Sequence, residues 1–173
     1  WEVFTQHCPG EPAGAADLTV VSWVLPQRQA VRRANRRARR YPAEEWARIR
    51  VYGEEFNAAL RRHMVDALER AGHRAVAPML APNWAIVKSA RFSYASSWSE
   101  RHAAHAVGLG TFGLCDGLIT AKGKAMRVGS VVAHLSVKPT LRPYSDHRAY
   151  CLFFVDGSCG KCIERCPAGA ITR

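Results

Sequence analysis

No apolar run in this 173-residue chain approaches the ~20 residues that a helix needs to cross a bilayer, so no membrane-spanning helix is expected. No secretory leader is visible, and a cytoplasmic, reducing location is the expectation. Cysteine is sparse, with six residues, and nothing in the composition asks for the oxidising compartment that disulfides require. Internal repeats and low-complexity tracts are lacking too. Acidic residues are missing locally. Between Arg28 and Arg40 stand Arg28, Arg32, Arg33, Arg36, Arg37, Arg39 and Arg40 without one Asp or Glu, within a net charge of +11. Such a stretch suits nucleic-acid phosphates, an acidic partner protein or anionic cofactor groups, and equally a solvated arginine-rich face.

Several catalytic patterns fail for want of a partner. GLGTFG at 108–113 matches G-x-G-x-x-G, but a dinucleotide site needs a strand before the turn, a helix after it and an acid about twenty residues on. Here a helix is expected before and strands after, and residues 130–134 hold no acid. Close backbone approach to some other flat ligand is the better use of these glycines. His102 and His105 have no HExxH pattern or carboxylate partner and read as ordinary hydrogen-bonded histidines. No D-x-H-x-x-G stretch occurs that would ligate cobalt from below.

What is present, at 48% hydrophobic residues, suffices for one ordinary domain and a small appendix. Leu18–Leu25 (LTVVSWVL), ended by Pro26, reads as a buried strand. Pro42 opens a helix whose stripe of Trp46, Ile49, Gly53, Phe56, Leu60, Met64, Ala67, Leu68 and Ala71 is expected to pack the core, with Gly72 as its stop. Arg74–Met79 reads as a short strand, and a Ser- and aromatic-rich loop runs from Ser89 to Ser99. Ser97 and Ser99 are placed to cap a short helix ending at Gly108. Residues 117–120 and 128–137 read as strands, expected to form a hairpin across the AKGKA turn. A Pro- and Arg-containing linker follows near 138–148. Cys8 and Cys115, remote in sequence from the other cysteines, read as plain thiols.

The strongest pattern lies in SCGKCIERCPAGAI. Cys159, Cys162 and Cys166, with Pro167 directly after, form C-x2-C-x3-C-P, the tail of the bacterial iron–sulfur run. Thiolates are soft ligands suited to iron–sulfur clusters. A structural zinc site would pair two C-x2-4-C knuckles, and only one exists. A thioredoxin-like pair would leave Cys166-Pro167 unexplained. Where the bacterial run places its first cysteine stands Asp156. Either Cys151 reaches in as the fourth ligand of a [4Fe–4S] cluster, or Asp156 supplies a carboxylate oxygen; the softer thiolate of Cys151 is favoured. The chain opens on Trp1 without an initiator methionine and stops at Arg173 with no second cysteine run. A segment of a longer protein is expected, with ligands for a second cluster elsewhere.

The span SSWSERHAAHAVGLGTFGLCDGLITAKGKAMRVGSVVAHL, followed by CGKCIERCPAGAI, resembles the epoxyqueuosine reductase and reductive dehalogenase family over roughly residues 43–173. The specific part is the order: E-R-H-A-A, G-L-G-x-F-G, a strand pair, then the cluster run. The resemblance implies an α/β (α+β) chain, with a nitroreductase-like corrinoid-binding domain over 1–148 and the start of a ferredoxin-like [4Fe–4S] segment over 149–173. It implies base-off cobalamin against Gly108, Gly110, Gly113, Val128, Gly129 and Ser130. Lys122, Lys124 or Arg127 would steady anionic groups. The family's epoxyqueuosine reductases carry a catalytic aspartate six residues before the glutamate of the E-R pair, where this chain has Tyr94. Reductive dehalogenases use a tyrosine as proton donor, and Tyr94 is the candidate for that work.

The reading that follows is an iron–sulfur oxidoreductase that reduces a small organic or halogenated molecule, or a modified nucleoside, through a corrinoid. The cluster would deliver low-potential electrons from a ferredoxin- or flavodoxin-type donor. tRNA is a candidate partner through the arginine stretch. The alternative is a ferredoxin-type electron-transfer module without a catalytic site of its own.

Overall fold

Strand β1 (Leu18–Pro26) is the β-rich run that Pro26 ends, and it pairs antiparallel with β7 (Met126–His134) from Leu18 opposite His134 to Pro26 opposite Met126. The other edge of β7 takes β2 (Ala75–Val76), giving the sheet order β1-β7-β2. Both edges of β7 are therefore used, and Gly129 to Ala133 along it are buried. This computed structural model describes residues 1–88, 90–91 and 94–172; Ser89, Phe92 and Ser93 of the Ser- and aromatic-rich stretch, and Arg173, lie outside them.

Helices α1 (Glu2–His7), α2 (Gln29–Arg37) and α3 (Glu44–Arg70) come from the first half of the chain. α3 begins two residues after Pro42 with Glu44 and Glu45 in its first turn, where carboxylates face the positive end of the helix dipole. It stops at Gly72, whose φ of 87° suits glycine; His73 N donates to Leu68 O and Gly72 N to Glu69 O. The expected apolar stripe is only part of what α3 turns inward. Its two fully buried residues are polar, Asn57 and Arg61, while Phe56 is 61% exposed.

Arg74–Met79 is shorter as a strand than expected, because Pro78 brings no ladder donor and opens a single 3-10 turn over Pro78–Leu80. Strands β3 (Ile86–Val87) and β4 (Ala95–Ser96) form a small ladder. Helix α4 (Glu100–Ala106) follows Ser99, whose side chain makes no capping bond; Ser99 Oγ instead lies 2.8 Å from His102 Nδ1. Gly108, at φ 89°, ends α4, with Leu109 N donating to Ala104 O.

The expected hairpin between 117–120 and 128–137 does not form. β6 (Leu118–Thr120) pairs instead with β5 (Gly110–Phe112), inside the glycine-rich turn, and β7 stops at His134. β1 takes one edge of β7 along its whole length and β2 the other edge at Val132 and Ala133, and Asp116 at φ 58° turns the chain back towards Gly113. The AKGKA turn closes on itself through Thr120 and Gly123.

Residues 138–148 lie back on this hairpin. Phe112 N donates to His147 O at 2.7 Å, Tyr150 N to Thr111 Oγ1 at 2.9 Å, and Tyr144 OH to His105 O at 2.6 Å. Two short helices follow, α5 (Leu152–Val155) and α6 (Lys161–Arg165). Buried clusters form around Phe4, Cys8, Val76 and Val132, and around Ala104, Phe112 and Leu118. The chain is thus a mixed α+β protein with small antiparallel sheets. Among the described residues no helix is long and apolar enough to cross a membrane.

Candidate functional site

The four cysteines of the C-terminal segment are distributed around α5 and α6. Cys151 precedes α5 and is buried, Cys162 sits on α6, and Cys159 and Cys166 flank that helix, all three of these half-buried. All four are free thiols. Ala170 N donates to Cys166 Sγ at 3.3 Å, and this amide, with those of Ala168, Ile171 and Gly169, holds the Cys166 thiol below its ordinary pKa. Backbone N–H groups aimed at a sulfur are what a cluster thiolate requires. The donor set therefore suits iron–sulfur ligation by its chemistry. The side chains are not gathered: among the described residues no three His, Cys, Asp or Glu groups stand close enough to hold a metal ion.

Asp156, the alternative fourth ligand, is engaged locally. Its Oδ1 accepts from Ser158 N at 2.9 Å, and hydrogen bonding from the Ser158 side chain, then from its backbone, depresses the carboxyl pKa. The segment itself is anchored on α2. Arg165 Nη1 donates to Arg36 O at 3.1 Å, and its Nη2 to Asn35 O and Ala38 O at 3.3 and 3.1 Å. The guanidinium therefore satisfies carbonyls at the C-terminal end of α2, where a cation is favoured. All seven arginines from Arg28 to Arg40 are exposed, so the stretch is a solvated basic face carried mainly by α2.

Of the six residues matched to the corrin ring, four, Gly110, Gly113, Gly129 and Ser130, are buried. Their closeness is used within the chain. A β-carbon on Gly129 would lie 2.5 Å from the Trp23 indole, one on Gly110 would strike the Ile119 carbonyl, and one on Gly113 would press the Ile119 side chain. Ser130 Oγ donates to Glu100 Oε2 and accepts from Trp98 Nε1. Gly108 stops α4 and packs beside Leu141 and Arg142, and the Val128 carbonyl accepts from Asn57 and Arg61. As arranged, these residues are packed against the chain's own atoms and do not fit a flat macrocycle.

Sequence reasoning missed the polar array that links α3, α4 and β7. Arg61 is 2% exposed and forms ion pairs with Glu54 at 2.9 Å and Glu100 at 3.0 Å. Glu54 also holds Arg127 at 3.0 Å, and Trp23 Nε1 donates to Asn57 Oδ1 at 2.9 Å. Burial is the largest influence on Glu100 and pushes its carboxyl above the usual range, against the pull of Ser130 and Arg61. The available signal was the i, i+4, i+8 spacing of Gly53, Asn57 and Arg61, one helix face with little apolar surface.

This array borders a cavity of about 420 Å³ that also reaches Arg50, Arg101 and Lys124. Beside it Lys124 Nζ meets the Cys115 thiol. Burial alone would raise the Cys115 pKa, but the Lys124 hydrogen bond and charge, with backbone N–H groups, outweigh it and bring it below the ordinary value. Cys115 is therefore not the plain thiol expected. A second cavity, of about 400 Å³, lies between α4 and the cysteine segment, lined by His102, His105, Gly113, Arg148 and Phe154. His105 Nδ1 lies 2.8 Å from Gly110 O. Tyr94, the candidate proton donor, is 80% exposed and directly precedes β4.

No family model, no curated protein and no solved structure matches this chain.

Proposed function

We propose that the chain is an iron–sulfur oxidoreductase in which Cys151, Cys159, Cys162 and Cys166 hold a [4Fe–4S] cluster. One observation carries the reading: four free thiols in C-x7-C-x2-C-x3-C-P spacing, the last already receiving a backbone N–H on its sulfur. A bound cluster would supply one-electron chemistry at low potential. The chain's part is to hold the thiolates, lower the Cys166 pKa through its amides, and moor the segment through Arg165. The cavity between α4 and α5 is where a small molecule would come nearest the segment.

The finer reading is a corrinoid-dependent reductase of the epoxyqueuosine reductase and reductive dehalogenase type. It would combine a nitroreductase-like domain with a ferredoxin-like segment, draw on a ferredoxin- or flavodoxin-type donor, and use Tyr94 as proton donor. Its substrate would be a small organic molecule or a modified nucleoside, with tRNA held by the arginine face. It rests on the resemblance in sequence order. The burial of Gly110, Gly113, Gly129 and Ser130 favours the second reading, an electron-transfer module without its own catalytic site.

Anaerobic purification tests the shared part. A brown protein with stoichiometric iron and acid-labile sulfide, lost in Cys159→Ser and Cys162→Ser, is expected; a colourless protein, or one holding zinc, overturns it. Hydroxocobalamin then separates the two readings. Stoichiometric uptake with an altered visible spectrum, and turnover lost in Tyr94→Phe, would support the reductase. No uptake would leave the electron carrier.

A further inference from the structure

The cavity between α3, α4, β6 and β7 has a charge pattern that the iron–sulfur reading does not use. Five cationic side chains border it: Arg50, Arg61, Arg101, Lys124 and Arg127. Among the described residues that line it, two are carboxylates, and both are committed. Glu54 bridges Arg61 and Arg127, and Glu100 is held by Arg61 and Ser130. Five cations against two carboxylates leave Arg50, Arg101 and Lys124 without a carboxylate; Arg101 donates to the Asp116 carbonyl, and Lys124 meets the Cys115 thiol. Among the described residues Arg50 has no ion-pair partner, and its charge bears on Arg127. Met79, Leu118, Met126 and Val128 supply apolar lining to the same cavity.

We propose that this cavity binds a small organic phosphate, its phosphate group held by Arg50, Arg101 and Lys124 and its organic part against the Met79, Met126 and Val128 wall. A volume of about 420 Å³ exceeds what a bare anion needs and lies in the range of small-molecule sites. A dianion matches the charge excess better than a carboxylate does, and guanidinium forks suit phosphate oxygens. The buried Arg61 and the partly buried Arg127 are matched by Glu54 and Glu100, so the charge left for a ligand is that of the exposed Arg50, Arg101 and Lys124. The Val128 and Met126 side chains come from β7, so the wall is as rigid as the central strand. Nothing in this site depends on the cysteine segment.

Calorimetric titration of the full chain with phenyl phosphate is the test, with inorganic phosphate and benzoate as comparison arms. One saturable site is expected, with benzoate and inorganic phosphate each binding more weakly. Losing a charged hydrogen bond costs about tenfold or more, so Arg50→Gln and Arg101→Gln should each weaken phenyl phosphate by that factor. Arg32→Gln/Arg33→Gln on α2 should leave the affinity unchanged. Absence of saturation, equal binding of benzoate, or loss only in the α2 variant overturns the proposal. In the unsubstituted chain, saturating phenyl phosphate should slow acylation of Lys124 severalfold relative to Lys161, whose ammonium is exposed and paired with Glu164. Equal slowing of both, or none, also overturns it, whatever the folding of the variants.

Discussion

The Trp23 indole occupies the space that a β-carbon on Gly129 would need, its nearest ring atoms 2.5 Å from that position. Gly129 lies opposite Trp23 in the β1–β7 ladder, and Trp23 Nε1 is fixed by Asn57 on α3. The glycine is therefore what lets a large aromatic ring lie on the central strand. Gly129→Ala should force the indole off Asn57 and destabilise the fold by about 1–3 kcal/mol, the usual cost of overpacking. Urea denaturation reads it directly, and a loss below about 0.5 kcal/mol, the range of ordinary surface changes, would contradict the packing.

Cys115 should titrate below an ordinary thiol, since the Lys124 hydrogen bond and charge outweigh its burial. Site-resolved alkylation rates against pH, read by peptide mass spectrometry, are expected to give a lower midpoint than that of a free cysteine peptide. Lys124→Met removes the opposing ammonium and leaves burial in command, so the midpoint should move upward. No movement in that variant would disconnect the pair.

Arg61 has two carboxylate partners and almost no exposure. Arg61→Met strands Glu100 in a buried setting, and breaking a buried pair from one side costs about 3–5 kcal/mol. Arg48→Met, an exposed residue paired with Glu44 on the same helix, serves as the comparison and should cost under about 1 kcal/mol. Equal losses would place Arg61 at the surface.

Glu100 binds its proton more tightly in the folded chain, because burial raises its pKa above the unfolded value. With the folded pKa raised, its contribution to stability is fully present below about pH 4.3 and is lost as pH climbs through the folded pKa. Glu100→Gln mimics the protonated form at every pH. The stability of the unsubstituted chain relative to Glu100→Gln should therefore fall across that window. A difference that rises with pH would show Arg61 dominating burial.

The fourth cluster ligand can be assigned by substitution. Cys151→Ser should lower iron retention and alter the electron paramagnetic resonance spectrum of the reconstituted protein. Asp156→Ala should change neither, since its carboxylate serves Ser158. The reverse result would make Asp156 the ligand.

Elements stated by local chemistry were readable before any coordinates. The β-branched run 18–25 with its terminal proline, and α3 between Pro42 and Gly72, stand where the residues place them. Pairing was less legible, because Leu118–Thr120 and Met126–His134 carry equal strand signals and nothing local says that β1 and β2 take both edges of β7. GLGTFG reads in the sequence as close backbone approach to a flat ligand, whereas the close approach found is to Ile119 and the 141–143 segment of the chain itself, which no local pattern announces. The cysteine spacing was plain. The Arg61–Glu54–Glu100 array was not, since its members come from two helices forty-six residues apart at their extremes and meet only through tertiary packing.

The Arg165 clasp makes the cysteine segment's order contingent on a helix more than a hundred residues upstream. Fraying of the last turn of α2 would release three carbonyls and with them the tether of α6. Any ligand that neutralises the arginine face, and so firms up that helix, would by the same linkage steady the thiols around α6.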